Sequence, residues 1–176
     1  MELLPATYTT GLIVLSSQHT ATEEIAALSA ELALRRPVTV LDGGNCFPFY
    51  RFARLIRTKN IEDASAIKRL FIRRAFTCYQ MLELLSSTPA LDQPYLILDP
   101  LATFYDEQIH ESEVCRLLDA CLTQVNRLSM IAPVLISLSR PRLPERAFLV
   151  ERICQSADRS FLLDAPAPEF IQPALF

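Results

Sequence analysis

What is scarce in this chain limits it more than what is common. Its 176 residues include three glycines, two histidines and no tryptophan. Three glycines are few for a protein that cradles nucleotides in loops, because backbone amides reach phosphates most closely where no side chain intervenes. The histidines, His19 and His110, stand far apart, and the five cysteines (Cys46, Cys78, Cys115, Cys121, Cys154) are odd in number, scattered and without a C-x-x-C pair. Neither a disulfide framework nor a metal centre is indicated, and the thiols are expected to be reduced and mostly buried. No apolar run approaches the ~18–20 residues that span a bilayer, and the opening MELLPATYTT lacks the basic region of a signal peptide. The expectation is an intracellular protein, cytoplasmic or nuclear, with no membrane partner.

Against these absences stand a 51% apolar composition, 21% charged residues and a mean hydropathy of +0.22. Such a balance describes a folded chain with buried strands. The length suits one domain, expected over residues 1–163, followed by a Pro/Ala-rich tail at 164–176. The net charge of −3 does not draw the whole molecule to nucleic acid. Its distribution is uneven. Arg51, Arg54, Arg57, Lys59, Lys68, Arg69, Arg73 and Arg74 cluster against only Glu62 and Asp63, whereas Asp106, Glu107, Glu111 and Glu113 are opposed only by Arg116.

Short continuous apolar runs alternate with amphipathic stretches along the chain. LIVLS (12–16), VTVLD (38–42), YLILD (95–99) and VLISLS (134–139) read as strands covered on both faces, with a peripheral strand near 70–76 and a last one in RSFLLD. Helices are expected between them. One opens with Thr20 and Glu23 in a capping box and stops at Pro37. Another starts at Pro48 with Phe49, Phe52, Leu55 and Ile56 facing inward and Arg51, Arg54 and Arg57 outward. A short helix is expected within 61–70, one capped by Thr77, a long one near 111–130 and one near 147–156. This alternation predicts a three-layer α/β/α fold on a mainly parallel sheet.

Three segments, in order, resemble the ATPase core of RecA-type recombinases, in particular the archaeal and eukaryotic RadA-like proteins and their paralogues. LDGGNCFPFYRFARLI is similar to the strand, acidic turn and arginine-bearing helix of that family. RRAFTCYQMLELLSS resembles its next strand and helix, and YLILDPLATFYDE its Walker B strand. Together with VLISLS they cover about residues 10–163. The resemblance implies a RecA-like core of the P-loop NTPase superfamily.

Carried over position by position, the resemblance implies lost catalysis. The P-loop pattern G-x-x-x-x-G-K-[ST] supplies amides, a lysine and a magnesium-binding hydroxyl to phosphates. Its positions fall here on Ser16, Ala21, Thr22 and Glu23, and the family's water-activating glutamate falls on Gly44. Glu23 and Glu24 at a helix N-terminus set the chain's own carboxylates where a triphosphate would bind. Only Asp99, at the Walker B position, survives, and with the P-loop gone the favoured reading of it and of Asp42 is a strand-end acid that caps backbone amides. Ser139 matches the polar position after VLISLS. No cofactor is expected.

The surfaces left to carry function are the basic stretch and the tail. Arg51, Arg54, Arg57, Arg73, Arg74, Arg140 and Arg142 are candidate contacts to a phosphate backbone or an acidic partner, non-specific and salt-sensitive. Phe170 and Phe176 in the tail are candidate partner-docking residues. The expected function is a non-catalytic, recombinase-paralogue type of subunit in DNA recombination or repair, whose partner is a recombinase or another RecA-like subunit. Two alternatives stand beside it: an atypical ATPase using Asp99 and Asp42, and a KaiC-like regulatory module that never meets DNA.

Overall fold

Each apolar run forms a strand in the computed structural model, which describes residues 10–17, 21–59, 65–141 and 143–163. The order is β1 (Gly11–Ser17), α1 (Thr22–Arg35), β2 (Val38–Asp42), α2 (Phe49–Lys59), α3 (Ser65–Lys68) and β3 (Leu70–Arg74). There follow α4 (Cys78–Ser87), β4 (Tyr95–Leu98), a 3-10 turn (Pro100–Phe104), α5 (Glu111–Ser129) and β5 (Pro133–Leu138). A second 3-10 turn (Pro144–Arg146), α6 (Phe148–Gln155) and β6 (Arg159–Leu163) complete the described chain. The strands form one sheet in the order β3-β2-β4-β5-β1-β6, and all five pairings are parallel.

The runs are apolar throughout because both faces of the sheet are covered. Successive residues enter opposite cores. Ile13, Leu15, Val38, Val40, Leu96, Leu98 and Leu135 pack with Ile25 and Leu28 of α1 and Phe52 and Ile56 of α2. On the other face Leu12, Val14, Leu41, Tyr95, Ile97 and Ile136 meet α4, α5 and α6 through Met81, Leu85, Leu117, Leu118, Val125 and Ile153. At about 1.5–3 kcal/mol for each large apolar side chain removed from water, these two layers dominate the stability. The result is a three-layer α/β/α architecture, compatible with the RecA-like core that the sequence segments resemble.

The elements also depart from expectation in three places. Helix α1 begins at Thr22, with Ala21 as its N-cap where Thr20 is expected. Thr20 lies outside the described residues. Glu23 is committed to an ion pair with Arg51 across the α1–α2 contact. Phe49 does not face inward: it is 49% exposed, with only one side of its ring against Phe52, and the buried face of α2 begins at Phe52. Strand β4 stops at Leu98, and Asp99 takes a left-handed conformation (φ 40°) that leads into the 3-10 turn. Thr77, by contrast, caps α4 as its sequence suggests, its hydroxyl accepting the Gln80 N–H at 3.2 Å.

Among the described strands β3 and β6 are the outermost, each with a single strand neighbour. In β3 Phe71 is 53% exposed, and in β6 Leu162 is 68% exposed, whereas every residue of β2, β4 and β5 is buried. This places β3 at the periphery, as its arginine-rich sequence predicts.

Candidate functional site

In a parallel α/β sheet chemistry gathers at the carboxyl ends of the strands. Here those of β2, β4 and β5 bring Asp42, Gly43, Gly44, Cys46, Asp99 and Ser139 together. Asp42 and Leu98 are direct partners in the β2–β4 register, so Asp99 emerges beside the turn that follows Asp42.

Asp42 is wholly buried. Its Oδ1 accepts the Cys46 N–H at 3.0 Å, its Oδ2 accepts the Phe47 N–H at 3.1 Å, and Arg74 Nε approaches Oδ2 at 3.5 Å. The carboxylate ties down the turn between β2 and α2 and pairs with a cation from β3. A carboxylate with both oxygens so engaged is a structural anchor. Asp99, 5% exposed, accepts Ser139 Oγ–H at 2.6 Å through Oδ2, while the Ser139 N–H lies 3.4 Å from Oδ1. The β4 and β5 ends are thereby stitched together. Aspartate is among the few residues that tolerate the left-handed conformation found there.

The two glycines explain how the ends of β2 and β4 come so close. The Gly43 and Gly44 amides both donate to the Leu98 carbonyl, at 2.8 and 3.2 Å. A Cβ on Gly43 would lie 2.9 Å from Pro100 Cα. One on Gly44 would lie 2.8 Å from Asp99 Cβ and 3.3 Å from its Oδ2. The position on which the family's glutamate falls is therefore packed flush against the surviving acid, without room for a side chain. Cys46 sits over the same cluster. Burial first, then the Asp42 and Asp99 charges, push its thiol up to about 12, which leaves it protonated and a poor nucleophile at neutral pH.

At the neighbouring strand end, Ser16 pairs in register with Leu138 and Leu162, Ala21 is buried, and Thr22 and Glu23 open α1. Residues 18–20, including His19, lie outside the described residues. Glu23 and Glu24 occupy the first helical turn, where the positive end of the helix is matched by the chain's own carboxylates. Arg51 neutralises Glu23, so the charge an anion would meet there comes chiefly from Glu24. No protein-family model matches the chain, and no curated protein matches it.

The candidate arginines separate into two groups. Arg51 is held by Glu23 and Arg74 by Asp42; Arg73 donates to Ser87 Oγ at 3.1 Å and Thr88 Oγ1 at 3.4 Å. Arg69, also in the basic stretch, donates to the Leu34 carbonyl at 3.0 Å and so closes the C-terminus of α1. Arg54 and Arg57 are exposed on α2, and Arg140 is exposed after β5; none of the three pairs with another described residue. Arg142, Phe170 and Phe176 lie outside the described residues.

Elsewhere, a groove of about 400 Å³ is lined by Glu107, Ile109, His110, Glu111 and Arg146 among others. Its cation is already used: Arg146 is buried and donates to the Phe104 and Ile109 carbonyls. His110 caps α5, its Nδ1 accepting the Ser112 N–H at 3.3 Å. Among the described residues no cluster of histidine, cysteine and carboxylates could hold a metal ion, and no helix is long and apolar enough to cross a membrane.

Sequence reasoning neither placed Cys46 beside the two aspartates nor singled out Tyr50. Cys46 belongs with the two aspartates, but this follows only from the close β2–β4 approach. Tyr50 is 78% exposed. Its position four and seven residues before Arg54 and Arg57 is a helical-face signal visible in the sequence.

Proposed function

We propose that the chain is a non-catalytic RecA-like protein of the recombinase-paralogue type. It acts by binding a recombinase or a second RecA-like subunit, with DNA as a further contact, in recombination or repair. One observation carries the loss of catalysis: Gly44 lies against Asp99 with no space for the base that would activate water. Supporting it, Asp42 has both oxygens engaged by the chain's own donors, and the turn into α1 offers a phosphate neither a glycine nor a lysine. The same engagement of Asp42 weighs against an ATPase working from Asp42 and Asp99. A subunit without chemistry is left with its surfaces, and those of α2 and of the tail at 164–176 are the ones this reading assigns to partners.

The test is calorimetric titration with ATP and magnesium. The expected result is no heat of binding at micromolar nucleotide and no turnover. Micromolar binding, or hydrolysis that Asp99→Ala abolishes, overturns the reading.

A further inference from the structure

We infer that the outer face of α2 is a contact for single-stranded nucleic acid, with Tyr50 as the stacking ring and Arg54 and Arg57 as the phosphate contacts. The inference deepens the reading of the chain as a binding subunit and rests on it. Tyr50, Arg54 and Arg57 stand at i, i+4 and i+7, one stripe of a helix, and span ~10 Å along its axis. Tyr50 is 78% exposed, far more than its apolar ring needs in a folded chain, and Phe49 beside it is 49% exposed. Neither Arg54 nor Arg57 pairs with another described residue, although Arg51, one turn away, is neutralised by Glu23. Lys68 of α3, which packs on α2, is likewise exposed.

The combination decides the ligand. Guanidinium groups alone suit any polyanion, duplex or peptide included. An exposed aromatic ring in line with them adds a surface on which an unstacked base can lie, and bases are free to do so only in a single strand. Stacking on a ring face does not read sequence, and with both guanidinium groups assigned to phosphates the contact is sequence-tolerant. With a net charge of −3 the attraction comes from local clusters of charge such as this one, and it falls with salt.

The experiment is fluorescence anisotropy of labelled oligo-dT titrated with the full chain from low to physiological salt, beside a duplex of equal length and a poly-glutamate competitor. Oligo-dT is expected to bind more tightly than the duplex. Tyr50→Ala should weaken it about tenfold with little change in salt slope, and Tyr50→Phe should restore it. The double variant Arg54→Ala/Arg57→Ala should weaken it and flatten the salt slope by about 1.4, the share of two phosphate contacts on a single strand. All these side chains are on the surface, so folding is not at stake. No binding at low salt, equal affinity for duplex, indifference to Tyr50→Ala, or displacement by poly-glutamate at equal charge overturns the inference. Such a failure leaves the nucleotide titration untouched, because that depends on Asp99 and the α1 turn.

Discussion

At the carboxyl ends of β2 and β4, Asp42, Asp99, Ser139 and Arg74 are held by one another or by nearby amides, whereas the outer face of α2 leaves Tyr50, Arg54 and Arg57 to solvent. Both regions look functional in the sequence: one has acids at two strand ends, the other a row of arginines. Their difference lies in who satisfies the polar groups. Where the chain supplies every partner, the side chains serve the fold. Where it supplies none, they are available to something else.

The contrast can be tested by substitution. Asp42→Ala should have the largest effect, removing an acceptor from two buried amides and the counter-charge from Arg74. A loss of about 2–4 kcal/mol in denaturant unfolding is expected. A loss under about 0.5 kcal/mol would show that the carboxylate is not an anchor. Gly44→Glu, which restores the acid expected of an active ATPase, should cost about 2–3 kcal/mol through overpacking and repulsion against Asp99. It should restore no hydrolysis.

Alkaline pH probes the same cluster more gently. Burial pushes the Cys46 thiol, and the Cys121 thiol in the α5 core, up to about 12 from an ordinary 9.0. Between those values the unfolded chain has released protons that the folded chain keeps. Stability should therefore fall as pH rises above about 9, and be unaffected by these thiols below it. Cys46→Ser should reduce that dependence in a chemical-denaturation series across pH 8 to 11; an unchanged slope would contradict the burial argument. The smallest effect is expected on α2, where Arg54→Ala/Arg57→Ala should move stability by less than about 0.5 kcal/mol. A larger change would mean that the stripe is held by contacts within the chain and is not free.

Much of this was legible in the residues. The continuous apolar runs announced strands covered on both sides, and Thr77 announced its helix, because these features depend on local pattern. The N-cap of α1 falls at Ala21, one residue later than expected, and the Glu23 carboxylate meets Arg51, which no window around Thr20 contains. Phe49 was misplaced because its helix starts only at that residue, so the buried face begins at Phe52. Asp99 and Asp42 could be placed at strand ends from sequence alone. That Gly43 and Gly44 let those ends touch, and that Cys46 falls over both acids, depends on the packing of β2 against β4. Likewise, eight basic residues in one stretch gave no sign of which were free: Arg69, Arg73 and Arg74 meet carbonyls, hydroxyls and a carboxylate that are distant in sequence.

The position of β1 has a consequence for how the chain is made. Strand β1 precedes the other described strands in sequence, yet its sheet partners are β5 and β6, with Gly11 opposite Pro133 and Ile13 opposite Arg159. A ribosome adding about 5–20 residues per second needs roughly 6–24 s to reach the first of these partners. Throughout that interval the Leu12–Leu15 run has neither of its described sheet neighbours, while β2 and β3, adjacent in both sequence and space, can already pair. Assembly thus closes late around β1, and nascent chains halted before β5 should be captured by chaperones that bind exposed apolar segments.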